Sequence, residues 1–281
     1  MNTVHISAAL AEQHPRVFNE MMVALEAANV PTNLIQNTSN IWCRDYMPIQ
    51  TMLGRIEFVY GNETRRKYPI LKINQADISQ FIEGLLPFAL DGGNVVQNET
   101  HVLMTEAVFR DNPSLDRKII MRFLEGLFGK QLVILPVEPG DTLGHADGIV
   151  AFTTGNTVLI NDYTSEETAQ MDAYQSHLSK ILEVAGLEVV PFPYAYYQCP
   201  HLTEKEFRLK YPLADSRNEA AGYYLNFLAL PKLVLLPVFG FEYDEDAIAA
   251  AKKHFPGRTI VPIECFDLAM TGGLLHCTTW T

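Results

Sequence analysis

The sequence predicts an α/β fold in which one unit, an amphipathic helix, an apolar strand and a two-stranded hairpin, recurs along the chain. The helix part of the unit is the first observation. Four amphipathic segments at helical spacing each run into an apolar stretch that reaches a proline, and they cover residues 15–35, 116–136, 176–191 and 244–262. A fifth helix with a weaker pattern is expected over residues 76–89.

Paired strand patterns between these helices are the second observation. They cover residues 46–60, 94–105, 148–162 and 225–239, and each has turn residues at its centre. A fifth hairpin is expected to be split, with residues 274–281 giving one strand and residues 3–8 its partner. That pairing would close a ring of five similar units. Periodicity alone is equally compatible with an ordinary α/β chain whose strands alternate with helices. We expect residues 1–281 to form a single domain.

Polar motifs at corresponding positions of the units favour the ring. Each is predicted to begin the first strand of its hairpin, so a ring would bring all of them to the common axis. The motifs are Cys43-Arg44-Asp45, Asp91-Gly92-Gly93-Asn94, Gly144-His145-Ala146-Asp147, Tyr224-Leu225-Asn226-Phe227, and His276-Cys277 in the last strand.

Three carboxylates in these motifs indicate a site for a cation. Asp45, Asp91 and Asp147 lie in apolar or glycine-rich surroundings, where an unpaired charge is costly. Each alone is also compatible with an ion pair, a turn or a strand cap. His145 and Asp147 are two residues apart and are expected on the same side of a strand, which suits a base beside a substrate anchor. Further residues with metal-ligand spacing are lacking, so no metal is expected.

Cys277 is the candidate nucleophile. The four cysteines contain no CxxC pair, which indicates reduced thiols. Cys277 follows the Gly272-Gly273 pair in a strand expected at the axis, whereas Cys43, Cys199 and Cys265 are expected to be buried apolar residues. In a regular strand His276 would face away from Cys277, so we expect His276 to be structural.

Composition and net charge indicate which classes of binding partner to expect. The net charge of −12 argues against nucleic acid and favours a cationic ligand. The sequence lacks signal-peptide features and an apolar stretch long enough to span a bilayer, so a cytoplasmic enzyme without a membrane partner is expected. A homo-oligomer is compatible with the sequence.

Five motifs in order resemble the signature blocks of agmatine deiminases and Porphyromonas-type peptidyl-arginine deiminases, in the guanidine-modifying (pentein) superfamily. They occupy residues 42–48, 90–94, 144–147, 224–227 and 272–278. The resemblance implies a five-bladed α/β propeller with pseudo-fivefold symmetry. It also implies an iminohydrolase, or deiminase, that converts the guanidinium group of agmatine or a similar small arginine-like compound into a ureido product and ammonia, without cofactor or metal.

The resemblance also assigns roles to residues. Cys277 would be the nucleophile, His145 the general acid and base, and Asp91 would assist beside His145. Asp45 and Asp147 would bind the guanidinium nitrogens, and Asn226 is also expected to bind substrate. The chain departs from agmatine deiminases in carrying Asp91 where they usually carry Glu, and in lacking their longer, Trp-rich N-terminal region.

Two other classes of protein stay open. An amidinotransferase would use the same residues but pass the amidino group to an amine, and a binding protein on the same fold would not react at all. The aromatic stretch over residues 191–218 is expected either to cover the pocket or to pack as a surface loop.

Overall fold

Five three-stranded sheets form the framework of the protein. The computed structural model describes residues 3–60, 81–166, 168–195 and 220–281, and the single residues 206 and 209. In every sheet, taken in the order given below, the middle strand is antiparallel to the first strand and parallel to the third. The sheets are β15 (Thr279–Trp280), β1 (Val4–Ser7) and β2 (Thr32–Ile35); β3 (Ile49–Thr51), β4 (Gly54–Val59) and β5 (Gly84–Ala89); β6 (Val96–Gln97), β7 (His101–Thr105) and β8 (Gln131–Leu135); β9 (Val150–Phe152), β10 (Thr157–Asn161) and β11 (Glu188–Phe192); β12 (Leu228–Ala229), β13 (Leu233–Val238) and β14 (Thr259–Glu264).

Helices connect the parallel strands of four sheets, whereas most of the connection from β4 to β5 lies outside the described residues. The longer helices are α2 (Pro15–Ala27), α5 (Arg117–Phe128), α6 (Ala169–Val184) and α7 (Asp244–His254). Shorter ones are α1 (Ala9–Gln13), α3 (Cys43–Tyr46), α4 (Ala107–Asp111) and α8 (Phe266–Ala269). The four predicted helices and the four predicted continuous hairpins are therefore confirmed.

Helix α5 shows how the sequence sets these connections. Asp116 caps its start by accepting a hydrogen bond from the amide of Lys118 at 2.8 Å. Gly129 ends it in the left-handed region, at a φ of 62°, where glycine carries no Cβ penalty. Its buried face, Ile120, Leu124, Leu127 and Phe128, packs into the same apolar cluster as β7.

The predicted split hairpin closes the ring. His5 in β1 lies opposite Trp280 in β15, and the two strands are antiparallel. The Trp280 ring packs against His5 and Phe81, and its Nε1 donates a hydrogen bond to the Pro48 carbonyl at 2.9 Å. Through these contacts Trp280 joins its own sheet to the residues that flank the sheet of β3, β4 and β5.

Two details of the prediction were wrong. Residues 84–89 form strand β5, paired with β4, and belong to no helix, while residues 76–80 of the expected helix lie outside the described residues. Several polar motifs form single turns that precede the first strands rather than lying within them, namely the helical turn Cys43–Tyr46 and the 3₁₀ turns Gly92–Asn94 and Ala146–Gly148. His145 and Asp147 therefore do not share one face of a strand.

Candidate active site

His145 lies between two of the predicted carboxylates. Its Nε2 is 3.2 Å from Asp91 Oδ2 and its Nδ1 is 3.5 Å from Asp45 Oδ1. The three residues come from turns that precede three different sheets. One imidazole flanked by two carboxylates is suited to accept and return a proton.

Gly93 makes this close approach feasible. Its amide donates a hydrogen bond to Asp45 Oδ1 at 3.1 Å. A Cβ at this position would lie 2.5 Å from Asp45 Oδ1 and 2.6 Å from His145 Nδ1, closer than real contacts allow. The Gly-Gly sequence in this turn thus makes room for the Asp45–His145 pair.

Asp147 forms a second group with Cys277 and His276. Asp147 Oδ2 accepts a hydrogen bond from His276 Nδ1 at 2.7 Å and one from Cys277 Sγ at 3.6 Å. Burial opposes ionisation of Asp147, but the His276 hydrogen bond and nearby positive groups hold the pKa of its carboxyl below the usual value. Burial, with the charge of Arg44, lowers the pKa of His276. We therefore describe the pair as a carboxylate and a neutral imidazole.

The surroundings of Cys277 oppose ionisation of its thiol. Burial raises its pKa well above the usual value, and the negative charges of Asp147 and Asp45 act in the same direction. A hydrogen bond from Asn226 Nδ2 to Sγ, at 3.2 Å, acts in the opposite direction. Burial also raises the pKa of Cys43, to about 12, and that of Cys265. Cys199 lies outside the described residues.

Arg44 supplies a fixed positive charge at this site, a role that its place in the Cys43-Arg44-Asp45 motif did not predict. Its amide donates to the Cys277 carbonyl at 3.0 Å and its Nε to the His276 carbonyl at 3.4 Å. Burial lowers its pKa, while Asp147, Cys277 and Asp45 lie close enough to act in the opposite direction. A guanidinium keeps its charge in proteins. Arg44 therefore offsets part of the negative charge of the carboxylates.

A cavity of about 350 Å³ is lined by residues of all five units. The turns contribute Arg44, Gly92, Asp147, Leu225 and His276 to the lining. The first strands and their flanking residues contribute, among others, Gln50, Gln97, Phe152, Ala229 and Thr281. Asp147 is thus a predicted site residue that borders the cavity. That Asp45, Asp91, His145 and Cys277 share one cavity with it stays a prediction.

The structure corrects the expectation for His276. It belongs to a turn before β15, so it does not point away as in a regular strand, but binds Asp147 and lines the cavity. The sequence contained a signal for this placement of His276. Polar motifs alternate with hairpins, and this alternation places position 276 in a turn equivalent to that of His145.

The aromatic stretch expected over residues 191–218 is described only in part. Tyr194 is buried and packs on Tyr163 and Tyr223, so this member of the aromatic stretch belongs to the core. Most of residues 196–219 lie outside the described part of the chain.

None of the helices in the described part of the chain has both the length and the apolar character needed to span a membrane. The same part contains no group of three or more His, Cys, Asp or Glu side chains placed to hold a metal ion.

Fold and site together define a class of protein. Five α/β units in a ring, with Cys277, His145 and the three aspartates in the turns that precede their first strands, are the architecture of a pentein, a five-bladed α/β propeller. The model of the Porphyromonas-type peptidyl-arginine deiminase family matches residues 2–281, and the chain belongs to this family.

Comparisons with individual proteins agree with this assignment. A Selenomonas ruminantium protein named "Putative agmatine deiminase" is 30% identical over 209 residues, which is 68% of this chain and 56% of that protein. The chain thus spans little more than half the length of this relative. The structure of C. jejuni agmatine deiminase matches with a TM-score of 0.73 at 19% identity, over 99% of this chain and 92% of that one. A dimethylarginine dimethylaminohydrolase structure matches with a TM-score of 0.58 at 10% identity, over 99% and 98%.

Proposed function

We propose that the protein is a guanidine deiminase that hydrolyses agmatine or a similar small arginine-like compound to a ureido product and ammonia. The observation that carries the proposal is the placement of the Cys277 thiol 3.6 Å from the carboxylate of Asp147, which also binds His276. His145 and Asp45, which form a second group with Asp91, lie close enough to influence the pKa values of Asp147 and Cys277, respectively. Family membership and the named relatives support the same chemistry.

The carboxylates suit a planar cation. Asp147 uses Oδ2 for His276 and Cys277, and its Oδ1 accepts no hydrogen bond from any described residue. Asp45 and Asp147 would each accept charge-assisted hydrogen bonds from guanidinium N–H groups. Burial makes such bonds stronger than they are in water.

Substrate binding would also activate the nucleophile. In the unliganded protein, Asp147 and Asp45 raise the pKa of the Cys277 thiol. A guanidinium bound against these two carboxylates would cancel much of their negative potential and add a positive charge beside the sulfur. Both changes lower the pKa of the thiol. Cys277 would therefore become a thiolate mainly when substrate is present.

The reaction then proceeds in two halves. The Cys277 thiol gives its proton to His145, and Sγ attacks the guanidinium carbon as the C=N electron pair moves onto nitrogen. His145 passes that proton to the leaving nitrogen, the C–N bond breaks, and ammonia departs from a thiouronium-type adduct. Water then adds to the adduct carbon and gives one proton to His145, which releases it to solvent. The C–S bond breaks with its electron pair on sulfur, the hydroxyl proton passes to Sγ, and the ureido product leaves with the Cys277 thiol restored. Asp91, 3.2 Å from His145 Nε2, would hold the imidazole in position.

A panel of guanidines tests the proposal. Purified protein is incubated with agmatine, arginine, methylated arginines and simple alkylguanidines, and both ammonia and ureido product are measured, with and without an acceptor amine. We expect both products in equal amounts, and none from Cys277→Ser. Transfer of the amidino group to the amine would identify an amidinotransferase instead. No reaction with any guanidine would overturn the proposal.

A further inference from the structure

The side chain of Asn226 uses all of its hydrogen-bonding capacity within the protein. Its Nδ2 donates to Cys277 Sγ and to the Asp147 carbonyl, both at 3.2 Å. Its Oδ1 accepts from the amides of His276 at 3.1 Å and Cys277 at 3.3 Å. A primary amide has two N–H donors and one oxygen with two lone pairs, so these four bonds occupy it fully. Only 4% of the residue is exposed.

We propose that Asn226 is a positioning residue that fixes the turn carrying Cys277 and stabilises its thiolate, and that it does not bind substrate. This inference rests on the proposed function only in taking Cys277 as the nucleophile. It replaces the expectation that Asn226 contacts the substrate, since that contact would require one of the four bonds to break.

The contacts around the sulfur explain why such a donor is needed. The thiol donates to Asp147 Oδ2, but a thiolate has no hydrogen to donate, and the same 3.6 Å contact then joins two negative atoms. The N–H of Asn226 remains attractive when the sulfur is charged, because hydrogen bonding to the charged form favours that form. The bond to the Asp147 carbonyl keeps the amide in the orientation that directs its other N–H at the sulfur.

The pH dependence of thiol alkylation tests this role without turnover. Wild type, Asn226→Ala and Asn226→Asp are treated with iodoacetamide from pH 6 to 10, and the rate constant for modification of the Cys277 peptide is measured by mass spectrometry. The shift of the midpoint between variants is taken from the ratio of their rate constants below it. We expect a midpoint higher by roughly one pH unit in Asn226→Ala, equivalent to about tenfold slower alkylation below the midpoint. Asn226→Asp replaces the donor by a negative charge, so its shift should be larger.

Asn112 provides a matched control. It is a buried asparagine whose side chain holds the backbone of Ala89 and Val108. Asn112→Ala should lower Tm as Asn226→Ala does, yet leave the alkylation profile of Cys277 unchanged. Asn226→Asp, which keeps the size of the side chain, provides the measurement if Asn226→Ala does not fold.

The outcomes separate the two proposals. A raised midpoint together with a lower kcat and a KM within about threefold of wild type supports the positioning role. An unchanged midpoint in a folded Asn226 variant would overturn it, as would an effect confined to KM, which is the signature of lost substrate binding. A raised midpoint in a protein that turns over no guanidine would keep the role of Asn226 and refute the proposed function.

Discussion

His276 Nδ1 donates a 2.7 Å hydrogen bond to Asp147 Oδ2, although 129 residues separate them in the sequence. The bond joins the turn before β9 to the turn before β15. It fixes one oxygen of the carboxylate and leaves the other for a ligand. Asp147 is thus held in place before any substrate arrives, which reduces the ordering cost of binding.

Replacing either aspartate proposed to bind guanidinium should strongly reduce the proposed activity. Asp45→Asn and Asp147→Asn nearly preserve size but remove a negative charge, so each should lower kcat/KM by about 30-fold to several thousand-fold, or roughly 2–5 kcal/mol. The exposed Asp172→Asn also removes one negative charge, and as the control it should leave kcat/KM unchanged. Near wild-type kcat/KM in both site variants would show that these aspartates are structural.

Adding one methyl group at Gly93 should separate Asp45 from His145. The new Cβ would lie 2.5 Å from Asp45 Oδ1 and 2.6 Å from His145 Nδ1, so one of these side chains must move. A displacement on the order of 1 Å costs about 100-fold in rate. Steady-state kinetics and a crystal structure of Gly93→Ala would test this.

Gly126→Ala is the control for that substitution. Gly126 is exposed in α5, and a Cβ there meets nothing within 4 Å. This variant should keep full activity and gain about 0.5–1 kcal/mol in the free energy of unfolding. If Gly93→Ala were as active as Gly126→Ala, the proximity of Asp45 and His145 would have no role in the reaction.

A guanidine-like electrophile should select Cys277 among the cysteines. Cys43 and Cys265 are also buried and also have raised pKa values, so thiol ionisation alone does not distinguish them. The carboxylates beside Cys277 do, because they would bind the cation of a haloacetamidine. Peptide mapping should show first labelling at Cys277, with protection by substrate. Labelling confined to Cys43, Cys199 or Cys265, with activity retained in Cys277→Ser, would falsify the covalent mechanism.

Stability should fall as pH drops from 7.5 to 6. Burial lowers the pKa of His5, His14, His254 and His276 below the unfolded value of 6.5. The unfolded chain therefore binds more protons than the folded protein in this range, and protonation favours unfolding. At lower pH, Asp111 and Glu57, whose pKa values burial raises, act in the opposite direction. Calorimetric Tm values across this range measure the effect, and a Tm that rises from pH 7.5 to 6 would contradict it.

His14 allows a single-residue test of that prediction. Burial is the main reason for its lowered pKa, and its Nε2 is buried without a hydrogen-bond partner among the described residues. His14→Gln should therefore make the decline in Tm between pH 7.5 and 6 shallower. A variant with the same slope as wild type would assign the decline to the other histidines.

The hairpins were the part of the fold that the sequence predicted best. Paired strand patterns around central turns predicted four hairpins, and the unpaired strand patterns at residues 274–281 and 3–8 predicted the split fifth one. Residues 84–89 were misassigned because the window from 76 to 89 has helical spacing, whereas pairing with β4 gives an edge strand that tolerates Pro87.

The site was predicted less completely, for a physical reason. The polar residues were found from their motifs, but their geometry depends on contacts between units. Gly92 lies too close to the Arg44 carbonyl for any side chain, and His276 is turned toward Asp147 by the Asn226 bonds. Neither contact leaves a periodic signal in the sequence.

The pairing of β1 with β15 has a consequence for how the protein folds. Strands from nearly opposite ends of the sequence must meet before the turn with Cys277 is held against Arg44 and Asn226. The entropy cost of closing so large a loop grows only logarithmically with its length, but contacts this distant in sequence slow folding. A chain with four units formed would carry β1 without its β15 neighbour and expose that edge to pairing with another molecule. The Cys277 thiol is thus brought to the aspartates and histidines only when β15 docks.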